Sequence, residues 1–197
     1  MTNFLEYKDN IVCASKYFTT NDMRKIFNLG IKHFGENRVQ DLLSKKEELK
    51  SLPITWHFIG HLQTNKVKQV INEIDYLHSL DSLKLAKEIQ KYRVTPLNTF
   101  IQLNLSKEES KFGIDLSELK TFVKELTKYD KINLIGFMTI GIQDDLIQTE
   151  KIFETLNQLK IDYMLQYTSM GMSNDYELAI KHHADWIRIG SLFKGVI

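Results

Sequence analysis

A chain of 197 residues, 43% apolar and 26% charged, can bury a full core and lacks the bias of a disordered segment, so one folded domain over residues 1–197 is expected. Its 26 basic and 25 acidic residues leave a formal charge of +1, which excludes a strong global field for nucleic acid or an anionic membrane surface. Cys13 is the only cysteine, which excludes a disulfide framework and a thiolate-rich zinc site. With no signal-like pattern over Met1 to Asp9 and no long uncharged apolar run, a cytoplasmic location without a membrane span is expected.

In chain order, short runs rich in β-branched or aromatic residues read as strands at 11–16, 33–37, 56–60, 76–80, 99–104, 134–139, 167–171 and 186–190. The segments between them carry a helical period, as in Leu119, Phe122, Val123 and Leu126, or Ile152, Phe153, Leu156 and Leu159. Asn21-Asp22 reads as the start of the first helix, Asp81-Ser82 of the fourth, Asp115 of the fifth and Ser173-Asn174-Asp175 of the seventh, while Gly30 follows the first. Eight βα units predict an α/β fold, a single (β/α)8 TIM-type barrel, with a doubly wound open sheet as the alternative. The seven residues after Gly190 are too few for a full eighth helix, and only about ten precede the first strand, so closure is the open point of the barrel reading.

A barrel gathers the C-terminal ends of its strands at one mouth. Lys16 closes the first strand, where a lysine amine can form a Schiff base with an aldehyde, or simply be a solvated strand end. Ile189-Gly190-Ser191 and Met172-Ser173-Asn174-Asp175 follow strands eight and seven, the usual phosphate loops of such barrels; Ser173, Gly190 and Ser191 together favour an anion. Arg188 alternates with Ile187 and Ile189, so it points into the barrel, to pair with a carboxylate or to donate to an aromatic ring nitrogen. His57 and His61 have metal-ligand spacing but lie on strand and turn, so no metal site is expected. Cys13 reads as a core residue, His182-His183 as partners of a helix dipole, and the run Lys45-Lys46-Glu47-Glu48 as a solvated helix face.

Ala14-Ser15-Lys16, Phe34 to Gln40, Trp56 to Lys66, Asn104 to Gly113, Gly136-Phe137-Met138, Ser169 to Ser173 and Arg188-Ile189-Gly190 resemble, in matching order, the pyridoxal-phosphate homeostasis protein family. The resemblance spans about residues 11 to 195 and implies a barrel similar to the N-terminal domain of alanine racemase. It implies pyridoxal 5′-phosphate as cofactor, held as a Schiff base on Lys16. Ser173, Gly190 and Ser191 would then hold the phosphate, Arg188 would face the pyridine nitrogen, and Asn37, His57, Met138 and Ser169 would line the pocket. Position 191 is Ser where Thr is expected of the family, and the chain before the first strand is shorter than the family's usual helix.

The implied role is a monomeric carrier in vitamin B6 homeostasis, without robust turnover, handing cofactor to apo enzymes that depend on it. An arginine beside the ring nitrogen weakens the cofactor as an electron sink, and nothing after Gly190 could form the second domain that alanine racemase needs. The alternative is a single-domain amino-acid racemase or Schiff-base lyase, for which Glu36 is the obvious strand-end acid.

Overall fold

The computed structural model describes residues 4–106 and 112–197. The sequence block from Asn104 to Gly113 therefore lies partly, and Met1 to Asn3 wholly, outside the described residues. Eight parallel strands close into a barrel in sequence order: β1 (Ile11–Ala14), β2 (His33–Glu36), β3 (Thr55–Phe58), β4 (Tyr76–Leu80), β5 (Leu97–Gln102), β6 (Ile132–Met138), β7 (Tyr167–Met172) and β8 (Trp186–Ile189). Closure rests on β1 pairing with β8, with Ile11 opposite Ile187, Val12 opposite Arg188 and Cys13 opposite Ile189. The thin ends do not open the barrel, because a 3-10 helix at Phe4–Asn10 precedes β1 and another at Ser191–Gly195 takes the place of an eighth α-helix. Phe4, Phe18 and Phe193 pack edge to face between those ends.

Helices α1 (Thr20–Asn28), α2 (Val39–Glu48), α3 (Val67–Val70), α4 (Leu83–Tyr92), α5 (Leu119–Leu126), α6 (Leu146–Asp162) and α7 (Tyr176–Lys181) occupy the connections. Alternation along each strand sends Phe34, Phe58, Leu77, Ile101, Phe137 and Ile187 outward into one continuous apolar cluster with Ile26, Leu42, Ile89, Phe122 and Phe153 of the helices. Each such side chain contributes about 1.5–3 kcal/mol by leaving water. None of the described helices is long and apolar enough to cross a membrane.

Local chemistry explains the helix starts. The cap of α1 is Thr19, two residues before the expected Asn21, because Thr19 and Asp22 bond reciprocally in a capping box. Ser82 caps α4 as expected. Asp115 instead closes a turn onto Ser117 before α5, which begins only at Leu119. Asp175, not Ser173, is the residue that flanks α7. Gly30 ends the first helix at φ 100°, a conformation other residues adopt only with strain.

Candidate functional site

Lys16 lies not on β1 but in a 3-10 turn, Ser15–Tyr17, that turns the chain out of the barrel. The turn is clamped from behind: the Ser15 hydroxyl donates to the Gly35 carbonyl at 3.1 Å and the Glu36 carboxylate at 2.8 Å, and Lys45 Nζ donates to the Ser15 carbonyl at 2.8 Å. Lys45 also pairs with the fully buried Glu36 at 2.6 Å. The run beginning at Lys45 is thus no solvated face; Lys45 turns inward because it meets Glu36 there, and Lys46 joins Glu73 at 3.1 Å. With its support fixed, the Lys16 side chain itself stays exposed, its ammonium 4.7 Å from the centre of the Tyr17 ring. Lys194 approaches the same ring at 5.2 Å.

Across the β1–β8 seam stand the two loops expected to take an anion. Ser173 Oγ accepts the Gly190 N–H at 3.2 Å, which ties the loop after β7 to the loop after β8. A Cβ on Gly190 would sit 3.2 Å from the Ala14 carbonyl oxygen, a tight approach that a side chain could make only by shifting the neighbouring strand end. Ser191 begins the terminal 3-10 helix and is exposed. Lys16, Ser173, Gly190 and Ser191 therefore come from adjacent strand ends, as the pairing of Cys13 with Ile189 requires. Asn37, half-buried just past β2, has an Oδ1 atom buried without a hydrogen-bond partner, so one acceptor there is open to a donor.

Below the mouth the barrel interior is polar and aromatic. Arg188 is buried, donating from Nη1 to Ser169 Oγ at 2.6 Å and from Nη2 to the Thr139 carbonyl at 2.9 Å. Its hydrogen bonds therefore go to a hydroxyl and a carbonyl, and the carboxylate that eases its charge through space is Asp175. Burial lowers the guanidinium pKa to about 10, still leaving it charged at neutral pH. Ser169 continues to His78 Nδ1 at 2.8 Å, His78 Nε2 to His57 Nδ1 at 2.8 Å, and His57 Nε2 to His33 Nδ1 at 2.9 Å. His57 is stacked on Tyr76 and His78 on Phe100. Met138 packs with Phe100 and Ile135 in a small cluster of its own.

His57, Met138 and Ser169 are thus wholly buried in the barrel, and His57 spends both ring nitrogens on other histidines. Burial holds His57 and His78 well below the usual histidine range, and each feels a further cation-disfavouring neighbour, His78 for the one and Arg188 for the other. His61 belongs elsewhere: it bonds Asp81 at 2.9 Å and stacks on Phe112 at the rim. Cys13 is buried and its thiol is pushed up by desolvation, consistent with a packing role. His182 flanks the end of α7 and bonds Glu150 at 3.1 Å, while His183 takes the left-handed turn.

The residues missed from the sequence are His33, His78, Thr139, Lys45 and Lys194. The two histidines did carry a signal, since each stands at an inward position of its strand. A groove of about 740 Å³ between α6 and α7, lined also by Phe4 and Leu192, borders this site and shares Ser173 with it.

Residues 21–196 match the family model described as the alanine racemase N-terminal domain. The chain is 39% identical over 193 residues to a pyridoxal phosphate homeostasis protein of Aquifex aeolicus, spanning 92% of this chain and 84% of that protein. It is 42% identical over 195 residues to one from Helicobacter pylori strain J99, spanning 93% and 86%. Among solved structures, PipY of Synechococcus elongatus PCC7942 with pyridoxal phosphate bound superposes with a TM-score of 0.83 at 29% identity, covering 93% of this chain and 91% of that one. Alanine racemase of Corynebacterium glutamicum, at 16% identity and a TM-score of 0.71, shares the fold over 93% of this chain and 54% of its own.

Proposed function

Because the chain belongs to the pyridoxal phosphate homeostasis protein family, we propose that it binds pyridoxal 5′-phosphate at the barrel mouth and holds it for delivery rather than for turnover. The observation that supports this reading is that an exposed lysine and a serine-glycine pair follow adjacent strand ends at the β1–β8 seam. When bound, the cofactor supplies an aldehyde that a lysine amine captures reversibly as a Schiff base.

The residues present fit that group. Lys16 offers an amine free of any carboxylate partner among the described residues, on a turn fixed by Ser15, Glu36 and Lys45. Ser173 and Ser191 would offer two hydroxyls to the phosphate beside Gly190, which carries no side chain and whose N–H fixes the Ser173 oxygen. Arg188, anchored on Ser169 and Thr139, would face the ring nitrogen as a donor that keeps its proton, and the open Oδ1 of Asn37 would accept a hydrogen bond at the mouth. Met138, His57 and Ser169 support these groups from beneath.

Two features favour carriage over catalysis. A guanidinium cannot readily pass a proton to the ring nitrogen, so the ring stays a weak electron sink. Glu36, the strand-end acid that a racemase or lyase could use, is sealed in its ion pair with Lys45. The recipients are then apo enzymes of the same cofactor, served by a cytoplasmic monomer.

The test is to add pyridoxal 5′-phosphate to wild type and Lys16→Ala, record the visible band, reduce with borohydride and map the adduct by mass. A band absent from the variant with the adduct on Lys16 is expected, together with no racemisation or elimination of amino acids. An adduct spread over surface lysines refutes the site, and sustained turnover refutes the carrier role.

A further inference from the structure

The barrel interior contains an unbroken line of polar contacts that neither an anion site nor an amine requires. It begins at half-buried His33 on the first residue of β2, near the floor, and ends at Arg188. The stagger of the strands builds it: His57 stands opposite Gly35, two residues above His33, and opposite Tyr76, two residues below His78. Each histidine is therefore two residues higher along its strand than the one before, and the rings climb diagonally to Ser169 on the far wall.

The chemistry of the contacts restricts their hydrogens. A neutral imidazole has one N–H and one lone pair, so every ring-to-ring bond needs one of each. Arg188 Nη1 donates to Ser169 Oγ, and the serine's own proton then has His78 Nδ1 as its acceptor. That makes His78 the Nε2–H tautomer, donating to His57 Nδ1; His57 becomes Nε2–H in turn and donates to His33 Nδ1. The reverse direction makes Ser169 accept from both His78 and Arg188 and leaves its hydroxyl proton without an acceptor among its described partners.

We propose that His33, His57, His78 and Ser169 form one directional hydrogen-bond chain, with all three histidines locked as Nε2–H tautomers, that positions the Arg188 guanidinium from the barrel floor. None of the three rings is a catalytic residue. Each is a positioning residue acting through the next, and Arg188 is held at two points, Nη1 on Ser169 and Nη2 on Thr139, with the whole row of rings behind Ser169. The lock itself needs no cofactor. Its consequence for cofactor binding rests on the reading of Arg188 given above.

The experiment is ring-¹⁵N NMR of the full chain with labelled histidine, before and after addition of pyridoxal 5′-phosphate. Wild type is expected to show His33, His57 and His78 each as a single Nε2–H tautomer. Ser169→Ala removes the proton that sets the direction, so mixed tautomers are expected not only at His78 but also at His57 and His33, up to three links away. Ser169→Thr, which keeps a hydroxyl, restores the single state. A serine with a merely local packing role would disturb His78 alone.

Pyridoxal 5′-phosphate should bind Ser169→Ala about tenfold more weakly, the loss of roughly one hydrogen bond's worth of orientation. Opposed tautomers in wild type, or a Ser169→Ala effect confined to His78, overturn the proposal, and the wild-type spectrum suffices if that variant does not fold. The two readings fail separately. Locked tautomers in a protein that does not take up pyridoxal 5′-phosphate refute the cofactor site and leave the chain standing, whereas mixed tautomers in a protein that binds it refute the chain.

Discussion

Acidification from about pH 7.5 to 5.5 should destabilise this protein, and its two innermost histidines set the least amount, His33 with its own burial-lowered pKa acting in the same direction. His57 and His78 are wholly buried, and desolvation, with like charge from His78, His33 and Arg188, keeps both well below the ordinary value of 6.5. The groups facing them from the surrounding strands are His33, Tyr76, Phe100, Trp186, Ser169 and Arg188, so among the described residues no carboxylate lies against either ring to favour its charged form. The folded pKa values lie below the unfolded one, so below pH 6.5 the unfolded chain binds protons that the folded chain refuses, and stability falls as pH falls. Each ring costs about 1.4 kcal/mol at one pH unit below its unfolded pKa, or about 3 kcal/mol for both. For a chain of this size that corresponds to a loss of roughly 6–12 °C in Tm. Denaturant titrations at several pH values measure the slope directly, and the window stays above the ordinary carboxylate range. A stability change below about 1 kcal/mol over that interval, equivalent to less than one proton, would refute the claim that both rings are held neutral.

Three further outcomes follow from local geometry. Lys45→Met strands the buried Glu36 carboxylate and should cost about 3–5 kcal/mol in a denaturant titration, most of which Glu36→Gln in the same chain should recover; a cost below about 1 kcal/mol contradicts the buried pair. Gly136→Ala should fail to yield folded protein, because a Cβ there overlaps the Tyr167 carbonyl, whereas Gly195→Ala, with nothing within 4 Å, should change stability by less than about 0.5 kcal/mol by the same titration. Ser173→Ala loses the acceptor for the Gly190 N–H and a hydroxyl donor, so pyridoxal 5′-phosphate should bind roughly tenfold more weakly in a fluorescence titration, while pyridoxal, lacking the phosphate, should be unaffected.

Much of the architecture was legible because it depends on local pattern. Alternation of short apolar runs with 3.6-residue periods sufficed for eight strands in order, and the placement of Lys16, Ser173 and Gly190 after neighbouring strand ends followed once a barrel was assumed. Closure was less accessible, because the β1–β8 seam joins residues some 175 apart in sequence and has no local signature. Strand ends blurred for a related reason. Lys16 continues an apolar run, but its departure from the strand is decided by Ser15 reaching Glu36 on the next strand, a contact no single segment encodes.

The polar interior was the part hidden most deeply, and the reason is geometric. A lone histidine in a strand is as compatible with a satisfied core position as with a site, and alternation says only whether it faces in or out. Whether His33, His57 and His78 touch depends on the relative register of three strands, each offset by two residues from the last. A shift of one strand by a single residue would turn its histidine outward into the apolar shell and break the row. The row therefore couples register to polar satisfaction: a misregistered barrel pays by burying unpaired imidazoles, at about 1–3 kcal/mol for each stranded group. The same contacts that bear on Arg188 thus help select the one stagger that sets the strand ends before Lys16, Ser173 and Gly190 side by side at the mouth.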